Sequence, residues 1–399
     1  MPQPTTAAPA RNPGSVAEQP RTCADLLDTY TADDLFFRSA RRCLLARGRH
    51  TELPADTARA ALGRVATAAA RAAADRGGVG TVVGAIPFSA AEPAELFVPE
   101  RLWTVDPALD APVTAPAVDQ HWQVRPVPAV ADYESAVAEG LALIGAETLD
   151  KIVLARALDV RGDTPIDVPT LLRALLRGDA TGYAYAVPTR AGTAFVGCSP
   201  ELLVSRAGTT VTATPLAGSS PRSSDPVEDR RRREALLVSA KDLHEHAIVA
   251  DDVAAVLSPL CTTTLVTPTP VVVGTASMWH LASRITGTLA DPATTALDLA
   301  VALHPTPAVC GLPPAPAATA IERLEPFGRG LFAGAAGWVD ADGDGEWTVA
   351  IRCAETAGTG MRLYAGAGVV AGSTPAAEAA ETGAKFQTML TALGIEHSL

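Results

Sequence analysis

The stretch YAYAVPTRAGTAFVGCSPELLVSRAGTTVTAT, residues 183–214, sets the fold class. Apolar or β-branched runs at Tyr183–Pro188, Thr193–Cys198, Leu202–Arg206 and Thr210–Thr214 alternate with short Gly-, Ser- and Pro-containing turns. Connections this short join antiparallel neighbours, because parallel strands need a crossover of about a dozen residues or more. Outward from this block, strands are predicted over Lys151–Val160, Leu331–Val339, Glu346–Cys353 and Met361–Val370. Helices are predicted over Asp132–Thr148, Pro226–Leu257 and Thr374–Leu393, the last opening on a Thr-Pro pair suited to N-cap and N1. Antiparallel sheet with long helices packed on its outside is an α+β architecture.

The chain has 399 residues, 48% of them hydrophobic and 19% charged, which is enough for a large core and excludes a wholly disordered protein. Residues 1 to about 24 are rich in Pro, Ala and Thr without periodicity, and read as a flexible tail. Residues 25–399 read as one catalytic domain, with loops expected over Asp106–Pro128 and Pro305–Pro316. Lys and Arg number 32 against 44 Asp and Glu, a formal net charge of −12. Such a balance argues against a nucleic-acid surface, which needs basic patches. It also means that an anionic substrate would need local cationic help. The six cysteines are scattered without a CxxC pair, so reduced core thiols are expected rather than a disulfide framework or a zinc site. No signal peptide or membrane span is read, and a cytoplasmic location is expected.

Several local patterns imitate known chemistry and fail on one residue. Asp340-Ala-Asp342-Gly-Asp344-Gly345 opens like a calcium loop, but its twelfth position is Ile351 where a bidentate Glu is needed. An Asp-Gly hairpin turn is expected there instead. His244-Glu245-His246 lacks the second histidine of a zinc-protease helix, since position 248 is Ile248. Gly197–Glu201 resembles a nucleophile elbow without its final Gly. Gly366-Ala-Gly368-Val-Val-Ala371 satisfies a dinucleotide fingerprint, but the chain ends at Leu399, before the rest of that unit fits. Two acid pairs survive this filter. Asp242 with Glu245, and Glu378 with Glu381, stand three residues apart on predicted helices, so each pair shares a helical face. Taken alone, such pairs usually mark a solvated face. Brought together, they would make an oxygen-only site for a hard cation.

Eight ordered strings change that weighting. They are Lys-Ile-Val-Leu-Ala-Arg (151–156), Ser-Pro-Glu-Leu-Leu (199–203), Pro-Leu-Ala-Gly-Ser (215–219) and Lys-Asp-Leu-His-Glu-His (241–246). Then come Leu-His-Pro-Thr-Pro-Ala (303–308), Gly-Glu-Trp-Thr-Val-Ala-Ile-Arg (345–352), Ala-Gly-Ala-Gly-Val-Val (365–370) and Glu378-Ala-Ala-Glu381-Thr-Gly-Ala-Lys385. In order and spacing the sequence resembles the chorismate-utilising enzymes over roughly residues 125–399. That family includes the isochorismate, salicylate, anthranilate and aminodeoxychorismate synthases. The resemblance implies a single large α+β domain of the anthranilate-synthase component I, chorismate-binding type, with antiparallel sheets face to face and helices outside. Lys151, Ala217, Ala308 and Phe332 point to the isochorismate-forming members. A salicylate synthase that also eliminates pyruvate, or a menaquinone-branch enzyme, is the alternative. The string at 215–219 and the chain length lean towards the siderophore branch through 2,3-dihydroxybenzoate.

The resemblance also implies roles. Lys151 would be the general base that activates water for attack at C2 of chorismate, and Glu201 the general acid that protonates the departing C4 hydroxyl. Glu245 and Glu381 match direct Mg²⁺ ligands, and Asp242 and Glu378 match acids that hold metal-bound waters. Arg352 would pair with a substrate carboxylate, bidentate by virtue of its planar fork. Gly218, His280, Ala308, Phe332, Gly366, Gly368 and Lys385 would complete the substrate site. Cys310 stands where relatives often have Gly. A monomer without an amidotransferase subunit is expected, acting on chorismate and isochorismate.

Overall fold

The computed structural model describes residues 20–107 and 120–395. The predicted strands form, and all the pairings recorded among the described residues are antiparallel. They are arranged in a ten-stranded sheet, a nine-stranded sheet and a small three-stranded sheet. The ten-stranded sheet is built on the long strands Lys151–Gly162 and Gly360–Val369, which pair over Gly360↔Arg161 through Val369↔Ile152. Its faces follow the period of two. Phe37, Leu154, Tyr185 and Phe195 join one core with Val82, Leu203, Val211 and Trp347 of the nine-stranded sheet. Phe36, Leu158, Val196 and Leu363 enter a second core beneath helices Val168–Gly178 and Pro375–Ala392.

Two pairs of strands cross between sheets. Ala194–Ser199 lies in the ten-stranded sheet and Leu202–Ala207 in the nine-stranded one, so the chain changes sheet at Pro200-Glu201. Its neighbour makes the opposite change between Gly345–Val349 and Cys353–Ala357, at Ala350–Arg352. The two crossings are bonded to each other: the Val349 N–H donates to Glu201 O at 3.1 Å and the Cys198 N–H to Arg352 O at 3.2 Å. The second pair leaves the nine-stranded sheet at Pro215, between Thr210–Thr214 and Leu216–Pro221, and returns at Ser283-Arg284, between Met278–Ala282 and Ile285–Leu289.

Several expectations are corrected. The run Pro226–Leu257 is two helices, Pro226–Leu236 and Ala240–Leu257. Ser239 adopts an extended conformation and caps the second by accepting from the Asp242 N–H. The run Glu346–Cys353 is broken at the sheet crossing, where Arg352 has φ +51°. The strand predicted from Leu331 begins only at Ala335, after a turn at Ala333 with φ +60°. Within the expected loop 106–128, Trp122–Val127 is a strand along Lys151–Gly162, and residues 108–119 lie outside the described residues. Pro126 is tolerated because this strand has one neighbour in the sheet. In the loop expected at Pro305–Pro316, Gly311–Leu312 pairs with the start of the Lys151 strand, and helix Pro314–Leu324 begins at its end. Of the expected tail, residues 1–19 lie outside the described residues, and a helix Cys23–Thr29 starts behind a Thr22–Asp25 capping box. Cys23 and Cys43 are bridged, against the expectation of thiols throughout, because that helix packs on the strand Cys43–Arg47. The other four cysteines are free. The Asp340 segment is a hairpin turn as expected, with Asp340 Oδ1 accepting from the Asp342 and Asp344 N–H groups at 3.0 Å each.

One buried ion pair fastens three segments around the interior. Arg329 forks onto both oxygens of Glu325, donates to Val309 O at 2.7 Å and donates to Val153 O at 2.8 Å. Glu325 Oε1 also accepts the Ala155 N–H at 2.8 Å. Removing one partner strands a buried charge, which costs about 3–5 kcal/mol. Arg329→Met is therefore expected to lower stability by about that amount, read as a shift in the urea midpoint at unchanged m-value.

Candidate active site

Each candidate side chain is placed by a local constraint. Lys151 begins the long strand and is fully buried, its Nζ 2.9 Å from Glu245 Oε1. The contact is an ion pair without hydrogen-bond alignment, which leaves Lys151 Nζ with no hydrogen-bond partner. Glu201 sits at the first sheet crossing with its carboxyl turned inward, where Oε1 accepts the Leu216 N–H at 3.3 Å. Burial pushes the Glu201 carboxyl up to about 7, against the opposing pull of that N–H and of Lys151, Lys385 and Arg352. Arg352 sits at the partner crossing, and burial lowers its guanidinium to about 10. One of its amino groups lies 2.9 Å from His280 Nε2. A guanidinium can only donate, so Nε2 accepts and the His280 proton is on Nδ1, which donates to Ser219 Oγ at 2.8 Å. Burial and the neighbouring Arg352 hold His280 well below the usual imidazole range, and therefore neutral near pH 7.

These groups surround one cavity of about 680 Å³, mouth included. Of the residues singled out from sequence, Glu201, Gly218, Glu245, His280, Ala308, Phe332, Arg352, Gly366, Gly368, Glu381 and Lys385 line it. Lys151 stands behind Glu245, and Asp242 and Glu378 lie outside the lining. Phe332 stacks on Tyr364 with centroids 4.9 Å apart, forming an apolar wall. Gly366 and Gly368 lie on the strand paired with the Lys151 strand, and Lys385 Nζ donates to Gly366 O at 2.8 Å.

The four acids do not form a shared ligand set: among the described residues, no three His, Cys, Asp or Glu side chains are grouped closely enough to hold a metal ion. Lysines neutralise three of them instead. Lys151 holds Glu245, Lys241 holds Glu378 at 2.8 Å, and Lys385 holds Glu381 at 2.7 Å. Asp242 is bonded to Ser239, its N-cap. The electrostatics still describe an excess of negative charge. Burial, then Glu381, raises Glu378; burial likewise raises Asp242, with Glu245 and Glu381 adding to it. Glu245 is held below the usual carboxylate range because Lys151 overcomes its burial. Glu378 Oε2 is buried with no hydrogen-bond partner. The donor chemistry, oxygen-only on two helices with Glu378 Oε2 orphaned, suits a hard divalent cation. Such an ion would have to take the place of the lysines that now hold these acids and draw the acids together.

Some participants were missed in the sequence. Lys241 lies inside the 241–246 string, yet its partner Glu378 is 137 residues away. Tyr364 is two residues before Gly366 and four before Gly368, so the strand period places it on their face. Ser219 belongs to the 215–219 string, but its tie to His280 crosses two strands of the small sheet.

Residues 98–394 match the chorismate binding enzyme family. The chain belongs to that family. A curated member, isochorismate synthase DhbC of Bacillus subtilis, is 48% identical over 383 residues, which cover 93% of this chain and 96% of that one. The crystal structure assigned to a 2,3-dihydroxybenzoate-specific isochorismate synthase, DhbC from Bacillus anthracis, superposes with TM-score 0.88 at 45% identity. It covers 94% of this chain and 100% of its own. Anthranilate synthase component I from Streptococcus pneumoniae, at 22% identity and TM-score 0.71 over 88% of this chain and 92% of its own, shares the fold. The chorismate-binding fold expected from the eight strings is therefore the fold observed.

Among the glycines of this cavity the tightest fit is at Gly368. A Cβ there would stand 2.1 Å from Glu245 Oε1 and 3.0 Å from Lys151 Cε. Gly368→Ala must push the Lys151–Glu245 pair aside, and misplacement of about 1 Å can cost about 100-fold in rate. The expected outcome is a loss of turnover of that order with a nearly unchanged thermal midpoint, measured by steady-state kinetics and calorimetry on the same preparation.

Proposed function

We propose that this chain is an isochorismate synthase that converts chorismate to isochorismate, in a route to 2,3-dihydroxybenzoate siderophores. The observation that carries the reading is Glu201 in the cavity wall, its carboxyl raised to about 7, with buried Lys151 directly behind Glu245 of the same wall. Adding water at C2 and removing hydroxyl at C4 needs one base and one acid, each with the right proton at neutral pH. In its neutral form, released from the ion pair with Glu245, Lys151 takes a proton from water as the water oxygen attacks C2. The ring double bonds shift, and the C4 hydroxyl leaves as water with the proton from Glu201. One water enters and one departs, so the product is an isomer.

The substrate carries two carboxylates. Arg352, already desolvated and supported by neutral His280, offers a planar fork to one of them. Glu245 and Glu381 would hold Mg²⁺, with Asp242 and Glu378 alongside, and the ion would supply positive charge opposite the other carboxylate. Gly218, Gly366 and Gly368 keep the walls low enough for the ring to approach the backbone, and Lys385 lies beside Glu381 and Gly366. Ala217, Ala308 and Phe332 present no hydroxyl to the ring, which suits retention of the enolpyruvyl group. The enzyme works as a single chain in the cytoplasm without an amidotransferase. Among the described residues no helix is long and apolar enough to cross a membrane.

Chorismate incubated with the purified protein and Mg²⁺ is expected to yield isochorismate, followed by chromatography, and to stop yielding it after chelation. Stoichiometric pyruvate with salicylate would overturn the assignment. Glu201→Gln is expected to lower kcat by about 10²–10⁴-fold with little change in KM. In the wild type, the acid limb must hold a proton on Glu201. Turnover is therefore expected to fall as pH rises through about 7, seen in the kcat–pH profile.

A further inference from the structure

His246 has no part in the chemistry above, yet it is buried at the corner where the second pair of strands changes sheet. Its Nδ1 lies 3.3 Å from Ala217 O and its Nε2 2.8 Å from Ser283 Oγ. A carbonyl only accepts, so Nδ1 carries the proton and donates to Ala217, and Nε2 accepts from the Ser283 hydroxyl. Ser283 closes the ring by donating its own N–H to Pro215 O at 3.4 Å. Both crossing points, Pro215 and Ser283, are thus tied together, and His246 ties them to the helix Ala240–Leu257. The residue between the two bonded carbonyls is Leu216, whose N–H is the hydrogen-bond donor recorded for the Glu201 carboxyl.

Building on the isochorismate synthase reading, we infer that His246 is a positioning residue: by holding Ala217 C=O, it aims the Leu216 N–H at Glu201 and so sets the geometry and acidity of the proton donor. The neighbouring strand holds Leu216 opposite Ala282 and Ala217 opposite Leu281 only at the last positions of its ladder. The strand pairing between Leu216–Pro221 and Met278–Ala282 is irregular between Ala217 and Ser219, where the ladder shifts register. Without the imidazole, this stretch keeps only the partial restraint of that shifted ladder. The bond from Leu216 favours the charged form of Glu201, so weakening it lets the carboxyl hold its proton to higher pH. The other groups acting on Glu201 come from three separate elements: Lys151 on the long strand, Lys385 on the C-terminal helix and Arg352 at its crossing. Glu245, Glu381 and His280 line the same cavity. None of these is moved directly by a change at Ser283.

The two nitrogens can be tested separately. An asparagine amide reaches about where Nδ1 stands and can donate to Ala217, whereas a glutamine amide reaches towards Ser283. The infrared carboxyl band that disappears in Glu201→Gln identifies Glu201, and its titration midpoint is read without turnover. In His246→Gln the midpoint is expected to rise above that of the wild type, and kcat to fall about tenfold with KM unchanged. In His246→Asn both are expected to return towards wild type. Ser283→Ala, remote from the acidic helix face, is expected to shift the midpoint in the same direction as His246→Gln by a smaller amount. Thermal unfolding and Mg²⁺ calorimetry on each variant accompany these readings. An unmoved midpoint in His246→Gln would overturn the inference. So would equal shifts in the Asn and Gln variants, or a loss of Mg²⁺ binding in place of the midpoint shift. Because the band is read on the resting protein, it decides the role of His246 even if the wild type forms a product other than isochorismate.

Discussion

The structure depends on strands that cannot stay in one sheet. Two antiparallel pairs each run through one sheet, bend, and continue in another. At a bend the ladder is interrupted, so backbone groups there must find other partners or remain unpaired in the interior. The crossings at Pro200-Glu201 and Ala350–Arg352 solve this by bonding to each other, through Val349 with Glu201 and Cys198 with Arg352. The interruption also frees side chains from the strict in-out alternation of a strand. Glu201 and Arg352 are both released into the interior at these bends, and each is charged or chargeable where ordinary strand positions would place apolar groups. Arg352 adopts φ +51°, a conformation that a non-glycine residue takes only where its surroundings hold it.

Burial is what turns these positions into chemistry. An exposed glutamate is ionised at neutral pH and an exposed histidine is a mixture of forms. Inside the molecule, Glu201 titrates near 7 and His280 is neutral. The cost of carrying so many polar groups inward is offset by pairing. Arg329 with Glu325, Arg156 with Thr382 and Ala379, and the three lysine–glutamate contacts leave few groups alone. Among the buried side-chain atoms without a hydrogen-bond partner in the described residues are Lys151 Nζ and Glu378 Oε2, which belong to the proposed base and to the acid cluster.

The acidic balance of the chain, awkward at first for a dianionic ligand, has a local explanation. Asp242, Glu245, Glu378 and Glu381 concentrate negative charge on two helices beside the cavity, and Lys151, Lys241 and Lys385 answer it within the same site. The net charge reports neither arrangement, since it sums over positions that the fold alone brings together.

By itself the sequence determined the strands between residues 183 and 214, the long pair at 151 and 361, and their antiparallel sense, because alternation and turn residues are local properties. The eight strings also carried the family, and several of their residues, Glu201, Glu245, Arg352 and Glu381 among them, meet at one cavity. What sequence periodicity could not show were the breaks. Pro226–Leu257 reads as one helix until Ser239 is seen to cap a second, and Glu346–Cys353 reads as one strand until Arg352 is seen to bend it. The bridge between Cys23 and Cys43 and the tie of His246 to Ala217 were likewise decided only in three dimensions. Each of these joins segments that the local pattern treats independently. The physical reason is that hydrogen bonding and burial at a sheet crossing depend on what the neighbouring strand does at the same level, and that neighbour lies about 150 residues away for Glu201 and about 70 for Leu216.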